Sequence, residues 1–143
     1  MSLTMTTQER EAFLADLHVG VLGVNHGDVP LTVPIWYDYE PGGDVWIITN
    51  RASIKGRALD TSGRFSLCAQ TEEPPYRYVT VEGSVRAVEA SNHDALLHMA
   101  IRYLGPDAGA RYAKANAGTE GNSALYRLHP EHWYTADYGK DTN

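Results

Sequence analysis

Alternating apolar and polar positions dominate the chain and predict a fold that is mainly β. Six segments have the two-residue period, or the β-branched and aromatic composition, that is typical of strands. They cover residues 18–25, 29–40, 45–49, 64–70, 78–88, and 123–128 with 133–138, the last one bent at His129-Pro130. Turns rich in Gly, Asn and Asp join the first three segments as hairpins. We therefore expect a six-stranded antiparallel β-barrel with short helices.

Helical spacing is confined to short gaps between these strands. The pattern predicts helices over residues 7–17, 54–59, 94–104 and 107–117, with Ser53 as the N-cap of the second. A doubly wound parallel sheet would need a helix after nearly every strand. Neither a GxGxxG fingerprint nor a Walker A sequence is present. No repeat or linker interrupts the pattern, so we expect residues 1–143 to form one domain.

Two residues within the predicted strands indicate local irregularity. Pro34 has no N–H to donate, which places residues 29–40 at a sheet edge, at a bulge or against a ligand. Gly83 interrupts the strand 78–88 and predicts a bulge or a sharp coil of the sheet.

Composition excludes several classes of protein. Twelve basic and 18 acidic residues give a net charge of −6, which argues against a nucleic-acid partner. No apolar run is long enough to cross a bilayer, and the polar start does not resemble a signal peptide. The single cysteine, Cys68, cannot form an internal disulfide. We expect a cytoplasmic protein with no membrane partner.

The most informative cluster of polar residues lies between the third strand and the second helix. A helix start offers free N–H groups and a positive dipole end, to which hydroxyl, amide and basic side chains are added here. The residues that supply these groups are Thr49, Asn50, Arg51, Ser53, Lys55 and Arg57. The local pattern is compatible both with an anion site and with a solvated, capped helix.

Other candidate groups have simpler interpretations. The run His129-Pro130-Glu131-His132 lacks the i, i+4 histidine pair of a helical zinc site, so we do not predict a metal. Tyr37, Tyr76 and Tyr78 are candidate proton donors, but the chain has nine tyrosines and packing in the core or at the rim is the preferred interpretation of each.

Longer stretches of the chain resemble a known family. The runs VPLTVPIWYDYEPGGDVWIITNRASIKGRAL and RFSLCAQTEEPPYRYVTVEGSVRAVE are similar to the pyridoxamine 5′-phosphate oxidase-like split β-barrels, especially their actinobacterial flavin- and deazaflavin-dependent oxidoreductases. The resemblance implies a Greek-key split barrel of the FMN-binding type. It also implies a homodimer whose interface holds the deazaflavin F420 or, alternatively, FMN, with the cofactor phosphate at the junction of strand three and helix two.

The resemblance assigns roles to residues at matching positions. Ser53, Lys55 and Arg57 would hold the phosphate or an anionic tail, and Thr49 and Asn50 would lie near the ribityl chain. The remaining assigned residues would border the ring: Val33, Pro34, Ile35 and Trp36 along its edge, and Pro75, Tyr76 and Tyr78 from this chain or its partner.

Three functions remain open at this stage. The first is an F420-dependent oxidoreductase that transfers hydride to a small organic acceptor. The second is an FMN-dependent oxidase or reductase, and the third is a non-catalytic barrel that binds flavin, heme or another tetrapyrrole. The sequence has no signature for the identity of the small-molecule substrate.

Overall fold

A computed structural model describes residues 2–118 and 120–141. In chain order, the described helices and strands are α1 (Thr7–Ala15), β1 (Gly20–His26), β2 (Val29–Ile35), β3 (Asp38–Tyr39), β4 (Val45–Asn50), α2 (Ile54–Ser62), β5 (Arg64–Gln70), β6 (Arg77–Ala90), α3 (His93–Leu104), α4 (Pro106–Ala115) and β7 (Ser123–Asp137). Short 3₁₀ turns cover Glu120–Asn122 and Tyr138–Lys140. None of the described helices has both the length and the apolar character needed to cross a membrane.

The described strands form one antiparallel sheet in the order β2-β1-β5-β6-β7-β4-β3. Laid flat, seven strands at about 4.8 Å spacing would separate the outer two by about 29 Å. Yet β2 and β3, at opposite ends of this order, are joined by Trp36 and Tyr37 alone, which span about 11 Å at most. The sheet must therefore curl until its two edges meet, which confirms the predicted mainly β split barrel.

The strand predicted over residues 29–40 is interrupted, so the sheet has seven strands rather than six. At the interruption, side chains of α3 replace the strand ladder as partners of the Tyr37 backbone. The Tyr103 hydroxyl accepts the Tyr37 N–H at 3.0 Å, and Arg102 Nε donates to the Tyr37 carbonyl at 3.1 Å. The two edges of the sheet are thus bridged by a helix.

The bend predicted at His129-Pro130 does not break β7, which continues through it. Pro130 pairs with Gly83 at a register shift, where a missing N–H is tolerated. A Cβ atom at Gly83 would collide with the His129 carbonyl oxygen, so the predicted bulge needs glycine for close approach. The prediction of an edge position for Pro34 is also confirmed, because β2 pairs with β1 alone among the described strands.

The barrel interior is filled by inward side chains of the strands and is closed by α1 and α2. Fully buried side chains include Leu14 of α1, Leu59 of α2, and Leu22, Ile47 and Leu67 of the sheet. The four predicted helices are present with shifted ends; α1 stops at Ala15, and α2 continues to Ser62 before Gly63 adopts φ 66°. This core fixes the positions of β2, β4 and α2 relative to one another.

Arg102 is the polar centre of the bridge between the sheet edges. Beyond Tyr37, its guanidinium donates to the Ala15 and Asp16 carbonyls at 3.3 and 3.2 Å and pairs with the Asp38 carboxylate at 3.4 Å. The Arg102 and Asp38 side chains are only 17% and 14% exposed, so water compensates little for a lost partner.

We expect Arg102→Met to lower the free energy of unfolding by about 2 to 3 kcal/mol, because the mostly buried Asp38 carboxylate loses its arginine partner and the Ala15 and Asp16 carbonyls lose their donor. Urea denaturation measures this change. Arg127→Met is the matched control, since Arg127 pairs with Glu89 at an exposed site, 3.1 Å apart, and should cost less than about 1 kcal/mol. Equal losses in the two variants would contradict the bridging role of Arg102.

His18, between α1 and β1, is partly buried, and its pKa is lowered. Its ring stacks on Phe13 with centroids 4.5 Å apart, and Nε2 lies 3.0 Å from the Phe13 carbonyl oxygen. Since a carbonyl only accepts, Nε2 bears the proton of the neutral ring. Burial lowers the pKa of His18 below its ordinary value of 6.5, so the folded protein favours the neutral ring.

The unfolded chain consequently binds a proton at His18 before the folded chain does. We expect the free energy of unfolding to fall as the pH drops below 6.5, with a contribution of at most about 1.4 kcal/mol per pH unit from this one proton. Denaturation series at several pH values should show that His18→Gln removes this part of the slope. His26→Gln, at the exposed end of β1, should keep it; an unchanged slope in His18→Gln would refute the assignment.

Candidate functional site

A cavity of about 490 Å³ lies where the ends of β2 and β4 face α3 and α4. This volume is within the range of small-molecule sites. The lining residues are Val19, Pro34, Ile35, Trp36, Ile48, Thr49, Asn50, Leu96, Met99, Tyr112, Asn116 and Ser123. None of these side chains has a formal charge at neutral pH.

The cavity brings together two groups of residues that the sequence analysis assigned to a cofactor. Pro34, Ile35 and Trp36 come from the end of β2, whereas Thr49 and Asn50 come from the end of β4. Val33 does not line the cavity. It pairs with the fully buried Leu22, which places it on the inner face of the sheet.

The β4–α2 junction next to the cavity is tightly built. Ser53 caps α2: its hydroxyl accepts the Gly56 N–H at 3.1 Å and donates to the Asn50 carbonyl at 2.6 Å. Asn50 Oδ1 accepts the Ala52 N–H at 2.8 Å. A Cβ atom at Gly56 would lie 2.5 Å from the Asn50 carbonyl oxygen, so only glycine lets the helix start this close to the strand end. Other N–H groups of the first turn have no partner within the helix.

The three basic side chains at this junction differ in their ion-pair and hydrogen-bond partners. Arg51 pairs with Asp60 at 3.6 Å, and Arg57 Nε donates to the Ala52 carbonyl at 3.1 Å. The half-buried Lys55 makes no hydrogen bond or ion pair with residues 2–118 or 120–141. Lys55 is therefore the cation at the helix start that is available to an external anion.

Ser53, Lys55 and Arg57 lie beside the cavity rather than in its wall. Arg57 lines a smaller neighbouring cavity of about 240 Å³, with Asn25 and Ile54 among the other residues. Thr49 and Asn50 connect the main cavity to the α2 start, because they line the first and are joined to the second by the short turn 51–53.

Pro75, Tyr76 and Tyr78 are placed away from the cavity within one chain. Pro75 lines a separate polar cleft with Arg77 and Asp137. The side chains of Tyr76 and Tyr78 are exposed at 51% and 37%. Within a single chain these three residues therefore do not complete the ring site.

The sequence analysis missed the wall that α3 and α4 contribute. Leu96 and Met99 are three residues apart on α3, and Tyr112 of α4 is four residues before the C-cap Asn116, so each pair lies on one side of its helix. This spacing was visible in the sequence, but it does not identify the surface that the faces meet. Val19, Ile48 and Ser123 complete the unpredicted lining.

Tyr37 is not available as a proton donor to a ligand. It is fully buried, and its hydroxyl donates to the Leu14 carbonyl at 2.7 Å. Burial raises the pKa of Tyr37 well above its ordinary value, which further opposes ionisation. Tyr112 is the tyrosine that lines the cavity.

The residues of the His129–His132 run engage different partners. His129 Nδ1 lies 2.9 Å from Asp44 Oδ1, and Glu131 pairs with Arg64 at 2.8 Å. Among the described residues, no three His, Cys, Asp or Glu side chains are grouped as metal ligands would be.

Comparisons with known proteins agree with this architecture. The sequence profile of the family described as pyridoxamine 5′-phosphate oxidase matches residues 6–137. No curated protein matches the chain.

Three solved structures share the fold at low sequence identity. Conserved hypothetical protein Rv2991 from Mycobacterium tuberculosis is 20% identical with a TM-score of 0.78, over 99% of this chain and 91% of that one. An F420 reductase is 19% identical with a TM-score of 0.69, over 87% and 94% of the two chains. An FAD-binding protein from Mesorhizobium loti is 19% identical with a TM-score of 0.62, over 92% of each.

Proposed function

Because the chain belongs to the pyridoxamine 5′-phosphate oxidase family, we propose that it binds the deazaflavin F420 and transfers hydride from it to a small organic acceptor. The family binds flavins or deazaflavins, and it includes oxidoreductases. The observation that supports the proposal most strongly is the continuity of the uncharged cavity with the α2 start, where Lys55 has no described partner.

The proposed placement follows this continuity. The ring would lie along Pro34, Ile35 and Trp36, where backbone groups of an edge strand can address its heteroatoms. The ribityl chain would pass Thr49 and Asn50. The phosphate would meet the N–H groups of the first α2 turn and the Lys55 ammonium, because both favour negative charge. Ser53 would hold this turn in place through its cap hydrogen bonds.

The exposed basic side chains next to the phosphate position favour F420 over FMN. F420 extends beyond its phosphate into an oligoglutamate tail, whereas FMN ends at the phosphate. Arg51 and Arg57 are exposed, and their present partners are a surface carboxylate and a carbonyl, which cost little to exchange. FMN remains the second candidate, since the phosphate position alone suffices for it.

When bound, such a cofactor supplies the hydride chemistry. This chain's residues would orient and enclose the reactants. The apolar side chains of the cavity limit access of water to the ring, while the backbone of residues 34–36 fixes its orientation. A proton is still required after hydride transfer to an alkene or imine, and in this proposal water supplies it.

We also propose that the protein forms a homodimer through the outer face of its sheet. Directly paired residues of five neighbouring strands form a row across this face, and none of them is charged. The row consists of Pro34, Val21, Cys68, Thr80 and Tyr134. Depletion of charge is typical of the centre of an interface.

The cavity adjoins this outer row. Pro34 belongs to both, so a second chain on the row would reach the mouth of the cavity. That arrangement would bring the exposed Pro75, Tyr76 and Tyr78 of one chain toward the ring site of the other, in agreement with the roles that the family resemblance implies.

Thr80→Arg introduces a charge into the centre of the row, and we expect it to convert the dimer to monomer. Size-exclusion chromatography with light scattering at micromolar concentration measures the mass. Thr61→Arg, on the exposed surface of α2, is the control and should stay dimeric. A monomeric wild-type protein, or a folded Thr80→Arg variant that remains dimeric, would exclude this interface.

Lys55→Gln should weaken F420 binding about 10- to 100-fold, the effect of losing one charge-assisted hydrogen bond of about 1.5–3 kcal/mol. Fluorescence titration of F420 gives the dissociation constant. Lys114→Gln, exposed on α4 and outside the cavity lining, is the control and should bind like the wild type.

The same titration separates the three functions. Micromolar binding of F420 with weaker binding of FMN is the expected result. Tight FMN binding without F420 binding would favour the FMN-dependent alternative. Binding of heme alone, followed by its Soret band, would replace the oxidoreductase proposal with a ligand-binding function. Unchanged F420 affinity in Lys55→Gln would remove Lys55 from the site.

A further inference from the structure

A polar cleft of about 680 Å³ lies at the end of the barrel next to α1, and it shares no lining residue with the cavity assigned to the cofactor. Its walls come from the ends of β5 and β7, the start of β6 and the loop 71–76. The volume is within the range of small-molecule sites. The formally charged side chains of its lining are those of Glu72, Glu73, Arg77, Asp137 and Lys140.

Arg77 and Asp137 both line this cleft, yet they do not form an ion pair. They are directly paired in the β6–β7 register, so their side chains project from the same side of the sheet. The guanidinium carbon of Arg77 lies 5.3 Å from the centre of the Phe13 ring, and Asp137 Oδ1 accepts the Gly139 N–H at 2.8 Å. The Arg77 side chain has no ion pair or hydrogen bond with the described residues. Two opposite charges are therefore held apart on neighbouring strands, and both can still bind a ligand.

The cleft lies on the inner side of β6, away from the proposed dimer face. Phe13, which Arg77 covers, is a core residue that is only 5% exposed. Val79, two residues after Arg77, is fully buried, so both lie on the inner side, whereas Tyr78 and Thr80 face the opposite side. The proposed interface therefore does not use Arg77.

The loop that bears Glu72 and Glu73 is held in one position. The Thr71 N–H donates to the Arg77 carbonyl at 2.9 Å, and the Arg77 N–H donates to Thr71 Oγ1 at 2.9 Å. Two consecutive prolines between them restrict the backbone further. This wall of the cleft is thus formed before a ligand arrives, which lowers the entropic cost of binding.

The charges of the cleft do not balance. Lys140 is compensated, since its ammonium donates to the Glu9 carboxylate at 2.8 Å. His18 contributes a neutral ring, because burial lowers its pKa. The remaining cation is Arg77. Opposed to it are three carboxylates that have no cationic partner among the described residues, those of Glu72, Glu73 and Asp137.

We infer that this cleft binds a free α-amino acid with a basic side chain. The α-carboxylate accepts hydrogen bonds from the Arg77 guanidinium, whose planar fork matches it. The α-ammonium donates to Asp137 Oδ2, because Oδ1 already accepts the Gly139 N–H. The cation of the ligand side chain lies near the Glu72 and Glu73 carboxylates. The inference goes beyond the proposed function and does not depend on it.

The probes are L-lysine and three relatives that each lack one of its charges. Nα-acetyl-L-lysine lacks the α-ammonium, L-lysinamide lacks the α-carboxylate, and L-norleucine lacks the side-chain ammonium. NMR titration of nitrogen-15-labelled protein at physiological ionic strength gives the dissociation constants and locates the site. We expect L-lysine to bind with a dissociation constant of about 1 mM or lower. It should shift the amides of segments 70–77 and 137–140, and each relative should bind about tenfold more weakly.

Substitutions in the cleft match each charge of the ligand to one residue. Arg77→Gln should weaken L-lysine binding about tenfold but should not weaken L-lysinamide binding, because the amide has no carboxylate for Arg77 to hold. Asp137→Asn keeps an oxygen acceptor for the Gly139 N–H. It should weaken the binding of L-lysine but not that of Nα-acetyl-L-lysine. Arg64→Gln is the control and should bind L-lysine like the wild type, because Arg64 pairs with Glu131 outside the cleft.

An absence of saturable shifts with L-lysine at tens of millimolar, or shifts confined to other segments, would overturn the inference. Equal affinity for L-lysine and L-lysinamide, or unchanged L-lysine affinity in Arg77→Gln, would indicate unspecific attraction to the carboxylates and would also overturn it. Equal binding of L-norleucine would overturn the preference for a basic side chain. A failure to bind F420 would contradict the proposed function alone, since the cleft and the cavity share no lining residue.

Discussion

The two edges of the curled sheet meet at Trp36-Tyr37, where no hydrogen bonds between the described strands close the gap. Instead, Arg102 and Tyr103 of α3 bind the Tyr37 backbone, and Arg102 also binds the carbonyls at the end of α1. Polar groups that would otherwise be buried without partners are thereby satisfied. The position of α3 over the barrel follows from this bridge.

The candidate site depends on the same bridge. Because Tyr37 points into the core, the preceding Trp36 points outward and stacks on Tyr103. With α3 fixed, α4 is fixed as well through the close contact at Gly109. The cavity is the space left between this helical pair and the ends of β2 and β4. One arginine–backbone contact thus links the closure of the barrel to the shape of the ligand site.

The sequence was sufficient for features that depend on neighbouring residues. The Ser53 cap, the basic residues of α2 and the Gly83 bulge are local, and the structure has the cap and the bulge where they were predicted. The break at Tyr37 was missed because its partners are 65 and 66 residues distant. Likewise, β7 continues through Pro130, because the missing N–H of Pro130 is tolerated opposite Gly83 on the neighbouring strand.

The α3–α4 wall was unpredictable for the same physical reason. The spacing of Leu96 with Met99 and of Tyr112 with Asn116 defines two helix faces, but only the tertiary contact through Arg102 decides what they cover. Predicted site residues at the same strand end, such as Thr49 and Asn50, do lie together in the cavity wall. Tyr78, which the family resemblance assigned to the ring site from either chain, is instead exposed outside the cavity.

The central claim is that one ligand spans the cavity and the start of α2. Hydrogen exchange of backbone amides, measured by mass spectrometry with and without F420, tests it most directly because it locates binding. The account predicts slower exchange in segments 34–37 and 50–57 when F420 is added, and no change in the exposed turn at residues 26–28. Binding without protection of residues 50–57 would contradict the proposed phosphate site and, with it, the account.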